Sequence, residues 1–179
     1  TQSTWSNINL ANNQTVYYKL TVTNQGGESA QSTSVAGTTM DLPSAPLSFQ
    51  STNPHPLDII LTWSAPSSDG GDPINLSYTV QKSTDGVNWI SYISTTNLTA
   101  SDNNLPLNTI LYWRINAVNS VGIGPDTQTI SYTTPGLPTA PASLTAVLIG
   151  STNTAALLNW SAPTSNGGYN ILGYTIDRN

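Results

Sequence analysis

The stretch Thr109–Pro125, TILYWRINAVNSVGIGP, decides the fold. Leu111, Trp113, Ile115 and Ala117 fall on one side of it, and Tyr112, Arg114 and Asn116 on the other. That alternation has period two, the spacing of a half-buried β-strand. The stretch closes on Asn119-Ser120-Val121-Gly122-Ile123-Gly124-Pro125, which is turn chemistry. A second copy lies 95 residues earlier, as VYYKLTVTNQGGES over Val16–Ser29. Val16, Tyr18, Leu20 and Val22 repeat the inward face, Lys19 repeats Arg114, Asn24 repeats Asn119 and Gly27 repeats Gly122. The chain is a tandem array, and this strand marks its period.

Working outward, Leu42-Pro43-Ser44-Ala45-Pro46 recurs 95 residues later as Leu137-Pro138-Thr139-Ala140-Pro141. Prolines at this spacing favour extended backbone and read as short, stiff linkers. Between the linkers lies one complete unit. Leu57, Ile59, Leu61 and Trp63 alternate inward along LDIILTW, and the turn SAPSSDGGDP follows. Tyr78 and Val80 lie on LSYTVQ, Asp85-Gly86 makes a turn, and Trp89 sits on NWISYI. Ser101–Asn104 leads into the long strand, and Ile130–Thr133 ends the unit. Seven short strands with regular turn signals and no helical period predict an all-β sandwich. Before the first linker, a short strand is expected around Trp5–Leu10, then the long strand at 16–23 and a Thr/Ser-rich strand near 31–39. After the second linker, ALLNWSAPTSNGGYNILGYTIDRN repeats IILTWSAPSSDGGDPINLSYTVQ, with Trp160 for Trp63, Gly167-Gly168 for Gly70-Gly71, and Tyr174 and Ile176 for Tyr78 and Val80.

Composition narrows the function classes. A length of 179 residues suits one or two domains. Charged residues make up only 7%, and the cations are Lys19, Lys82, Arg114 and Arg178 alone. Electrostatic capture of nucleic acid or of an anionic membrane has no basis in such a chain. There is no cysteine, so neither a disulfide nor a thiolate metal site. No apolar run in this segment is long enough to span a membrane, and no signal segment opens it.

The recurring residues resemble fibronectin type III modules. In the central unit the resemblance rests on Pro43-Ser44-Ala45-Pro46, Leu61-x-Trp63-x-x-Pro66, the Gly70-Gly71 turn, Tyr78-x-Val80, Trp89 and Arg114-Ile-x-Ala-Val-Asn119-x-x-Gly122. It implies tandem immunoglobulin-like sandwiches with strands A, B and E in one sheet and C′, C, F and G in the other. It also divides the chain: residues 1–41 as the C-terminal half (E-F-G) of one module, 42–135 as a complete module, and 136–179 as the N-terminal half (A-B-C) of another. One departure stands out. Such modules place a tyrosine six residues after the leucine before the long strand, and here those positions are Leu111, six after Leu105, and Val16, six after Leu10. The usual tyrosine corner is therefore expected to be missing.

Candidate chemistry is sparse. His55 sits in the loop Asn53-Pro54-His55-Pro56 and reads as a solvated residue. Asp69 and Asp72 flank the Gly-Gly turn, but the equivalent turn Ser165–Asn170 lacks both acids. A calcium site wants six to eight oxygens with several carboxylates, so the turn reading is the better one. Trp5, Trp63, Trp89, Trp113 and Trp160 are expected to pack inward. The core is expected to hold Trp63, Tyr78, Trp113, Ile115, Trp160 and Tyr174. Tyr112 and Arg114 face outward and form the candidate partner face. No nucleophile–base set, carboxylate pair or phosphate loop is visible, so neither catalysis, nor a metal, nor a cofactor is expected.

Four sequons, at Asn13, Asn75, Asn97 and Asn159, are candidate glycan acceptors and point to an extracellular or cell-surface setting. The expected role is a structural or spacer repeat of an extracellular filament or surface appendage. The rival roles are an accessory module of a secreted polysaccharide-degrading enzyme and a ligand-binding adhesin. The expected partners are further modules of a longer chain, or other copies of this chain joined head to tail, with each half module completed by its neighbour. With nine acids and one histidine, weak acid sensitivity is expected.

Overall fold

A computed structural model describes residues 3–150 and 155–178. The strands in chain order are β1 (Thr15–Tyr18), β2 (Thr23–Asn24), β3 (Gly27–Glu28), β4 (Val35–Thr38), β5 (Leu47–Thr52), β6 (Ile59–Ser64), β7 (Ser77–Ser83), β8 (Ile90–Thr95), β9 (Thr99–Asp102), β10 (Ile110–Val118), β11 (Ile130–Thr133), β12 (Pro141–Ile149) and β13 (Ala155–Pro163). One turn of 3₁₀ helix, Pro73–Asn75, separates β6 from β7.

The central unit is a two-sheet sandwich. One sheet runs β5-β6-β9 and the other β11-β10-β7-β8, antiparallel throughout. These are the A-B-E and G-F-C-C′ orders that the resemblance implied. The alternation dictates the packing. Ile59, Leu61 and Trp63 from β6 meet Tyr78 and Val80 from β7, and Leu111, Trp113, Ile115 and Ala117 from β10, in one buried cluster. Burying a large aliphatic or aromatic side chain contributes about 1.5–3 kcal/mol relative to leaving it in water. Phe49, Trp63 and Tyr78 form a chain of edge-to-face rings, with centroids 6.4 and 5.7 Å apart.

The tyrosine corner is absent, as the spacing implied. Leu111 fills that position, buried in the core. The approach to β10 is held instead by Thr134, which is itself buried. Its hydroxyl donates to the Pro106 carbonyl and accepts the Thr109 amide at 3.0 Å.

The flanking segments depart from expectation in three places. The strand expected at 16–23 stops at Tyr18 and resumes only as the two residues Thr23–Asn24. Trp5–Leu10 is not a strand, and neither is the stretch around Tyr174 and Ile176. The first segment consists of the β1–β4 pair and the small β2–β3 hairpin, and the last of the β12–β13 hairpin. In the central unit, the equivalents of the two missing strands pair with β6 and β10. Among the described residues the flanking segments have no such partner, and these stretches make no strand ladder.

Candidate functional site

The outer face of the four-stranded sheet is the most chemically furnished surface of the central unit. Arg114, on β10, lies with its guanidinium 4.3 Å above the Trp89 ring. Its Nε donates to Gln81 Oε1 at 2.6 Å, and its terminal nitrogen pairs with Asp126 Oδ2 at 3.1 Å. Asp126 also accepts from Asn116 Nδ2 at 2.8 Å. Trp89 therefore does not enter the core, contrary to expectation. The Arg114 stack holds it on the outside, where a flat cation and an aromatic face attract each other. Tyr112, two residues along the same face, is partly buried and packs against Gly86.

A second polar cluster bridges the sheets. Lys82 Nζ lies 2.7 Å from Asp102 Oδ2, and Trp113 Nε1 donates to the same carboxylate oxygen at 3.1 Å. Lys82 also sits over the rings of Tyr92 and Trp113. Burial and the neighbouring Asp102 charge push the Tyr92 hydroxyl up, and burial alone raises Tyr78.

The turn acids serve the backbone. Asp69 Oδ1 accepts the Gly71 amide at 2.7 Å. Asp72 accepts Asn75 Nδ2 at 2.8 Å and the Ser120 amide at 3.0 Å. Asp85 accepts the amides of Val87 and Asn88, and Asn88 Nδ2. His55 has an acidic neighbour that its loop setting did not reveal, with Nδ1 3.3 Å from Asp58 Oδ2 on an exposed surface. Among the described residues no His, Asp or Glu cluster could hold a metal ion. Asn13, Asn75, Asn97 and Asn159 are all exposed.

Of the expected core residues, Trp63, Tyr78, Trp113 and Ile115 are buried together. Trp160 and Tyr174 keep 38% and 42% exposure, because among the described residues the last segment contributes a single hairpin with no opposing sheet. Their rings nevertheless repeat the Trp63–Tyr78 geometry, at 5.4 Å and 60° against 5.7 Å and 64°. Trp5 is exposed, edge-on to Tyr18 at 6.0 Å. Leu20, Val22 and Val35 leave an apolar face open in the first segment, as do Leu144, Trp160 and Ile176 in the last.

No family model matches the chain. It is 29% identical over 164 residues to fast-type myosin-binding protein C of Gallus gallus, covering 89% of this chain and 14% of that protein. It is 27% identical over 186 residues to titin of Drosophila melanogaster, covering 99% of this chain and 1% of that protein. The chain thus spans a small part of the length of the relatives it matches. A crystal structure of three titin domains superposes with TM-score 0.51 at 23% identity, covering 70% of this chain and 42% of that one. A solution structure of a human fourth FNIII domain superposes with TM-score 0.50 at 20% identity, covering 60% of this chain and 91% of that one. Strand order, register and these likenesses agree: the chain is a tandem array built on the fibronectin type III fold.

Proposed function

We propose that the chain is a structural spacer, a run of fibronectin type III modules in an extracellular filament or cell-surface appendage. One observation carries this reading. The charged side chains of the central unit, Asp58, Asp69, Asp72, Lys82, Asp85, Asp102, Arg114 and Asp126, all have partners within that unit. Its polar chemistry is spent on holding the sandwich, which suits a module whose work is to span and to bear load. Catalysis has no residues to run on, and Arg114 on the candidate partner face is fully engaged internally. The four exposed sequon asparagines support the extracellular setting.

In this proposal the open faces of the flanking segments meet between copies, residues 138–179 of one chain against residues 1–38 of the next. The central unit supplies the register. There Arg114 stands opposite Gln81, Ile115 opposite Val80 and Ala117 opposite Tyr78. The repeat places Lys19 opposite Asp177, Leu20 opposite Ile176 and Val22 opposite Tyr174. A cation therefore faces an acid across the new strand pair, and apolar side chains face each other. A head-to-tail contact of this kind does not close and yields filaments.

Light scattering after size exclusion tests the arrangement. Multimers are expected, with Asp177→Lys weakening them and the added Lys19→Asp restoring them. A monomer at every concentration overturns the head-to-tail contact and leaves the spacer reading standing. For the extracellular setting, the check is a glycosidase-sensitive mass increase on passage through a eukaryotic secretory pathway. A chain secreted without added mass counts against the glycoprotein reading.

A further inference from the structure

We propose that the Gly-Gly-turn end of each module is a docking seat for the module before it, and that this seat fixes the angle between successive modules. The two linkers build the same joint. At the first, the Asn13 amide donates to the Met40 carbonyl at 3.1 Å, and the very next amide, Asp41, donates forward to the Gly70 carbonyl at 2.9 Å. At the second, the Asn108 amide donates to the Pro135 carbonyl at 2.9 Å, and the next amide, Gly136, donates to the Gly167 carbonyl at 2.7 Å. The chain passes from one module to the next across a single peptide bond, Met40–Asp41 or Pro135–Gly136. The peptide groups on either side of that bond are held, one to each module.

The neighbouring contacts repeat as well. Thr39 bonds back to Gln14 and Thr134 back to Thr109, while Ser44 bonds forward to Ser68 and Thr139 to Ser165. Asn13 and Asn108 both adopt φ of 51°, a left-handed conformation that asparagine tolerates. Asn119 Nδ2 reaches across the first joint to the Asp41 carbonyl at 2.7 Å and also to the Asp69 carbonyl at 3.0 Å.

The glycines show how tight the seat is. A Cβ on Gly70 would stand 2.0 Å from the Asp41 oxygen, and one on Gly167 would stand 2.3 Å from the Gly136 oxygen. Only glycine lets the linker backbone lie this close. Their neighbours Gly71 and Gly168 share the positive φ, at 83° and 93°, but a Cβ on Gly71 would meet nothing nearer than 4.0 Å. Repeating one rigid step makes the array a stiff rod with a constant turn between modules. The joint does not depend on what the array carries or on which copy completes the flanking segments.

Backbone ¹⁵N relaxation and amide exchange on the full chain test this. Asp41 and Gly136 should show order parameters of about 0.85, like the strands, and exchange at least about tenfold slower than free peptide. Gly70→Ala should release Asp41 on both measures while leaving Gly136 and the β10 amides unchanged. Gly71→Ala carries the same φ strain without the contact and should leave Asp41 protected. If Gly70→Ala also strips β10 of protection, Gly167→Ala asks the same question at the second joint, where release of Gly136 with Asp41 still protected is the expected result. Order parameters below about 0.6 at Asp41 and Gly136 in the unmodified chain would overturn the proposal. So would equal release of Asp41 by Gly71→Ala.

Discussion

Trp113 Nε1 donates a 3.1 Å hydrogen bond to Asp102 Oδ2, and with it β10 of one sheet grips β9 of the other. Lys82, also from the β10 sheet, pairs with the same oxygen. Asp102 is buried, so its charge is tolerable only while both donors hold it. Asp102→Ala leaves a part-buried ammonium and an indole N–H without an acceptor. The expected loss is about 3 kcal/mol or more. Asp102→Asn keeps an acceptor for Trp113 and should lose less. Urea unfolding midpoints for the two variants check the order. Equal losses would show that the hydrogen bond to Trp113 contributes little.

Arg114 joins three partners, Trp89, Gln81 and Asp126, and a lysine cannot reproduce that geometry. A point charge on a flexible stem has neither the flat face for stacking nor the fork for two simultaneous acceptors. Arg114→Lys is expected to cost about 1 kcal/mol of stability and to change the Trp89 fluorescence. Trp89→Leu, which removes the stack alone, should lose part of that amount. An Arg114→Lys midpoint equal to that of the unchanged protein would show the cluster to be ornamental to stability.

The same residues show how far the sequence could be read. Alternation along β6, β7 and β10 was legible because each has one face in the core and one in solvent, so period two separates the faces cleanly. Trp89 was misread because it lies just before β8, an edge strand exposed along nearly its whole length, whose ladder to β7 shifts register at Val80/Gln81. Phase carries no information on such a strand, and an arginine from the next strand but one decided where the ring lies. The strands expected at Trp5–Leu10 and around Tyr174 have the right composition, but a strand exists through its partner. The Gly-Gly turns were legible as turns. Their closeness to the linker was not, since a contact of Gly70 with Asp41 leaves no mark on local pattern beyond its repetition at Gly167 and Gly136.

Acid response follows from two carboxylates whose hydrogen bonds exist only in the folded chain. Asn88, first through its side chain and then its amide, together with Val87 and Ser83, holds the Asp85 carboxyl well below its usual 3.8. Ser120, followed by Asn75, lowers Asp72 from the same value. A folded-state pKa below the unfolded value stabilises the fold fully above the unfolded value. That contribution is lost as pH falls through the unfolded value toward the folded one. The chain has one histidine, and it sits exposed beside Asp58, in a surface contact of the kind that adds little. Stability should therefore be flat from pH 7 to about 5 and, against the weak acid sensitivity that the composition suggested, should fall below about pH 4. Urea midpoints at pH 7, 5 and 3 measure it. Asp85→Ala should lower the midpoint at neutral pH and flatten the decline between pH 5 and 3, because the variant has already lost what protonation removes. A decline as steep between pH 7 and 5 as between 5 and 3 would show that groups other than these two aspartates govern the response.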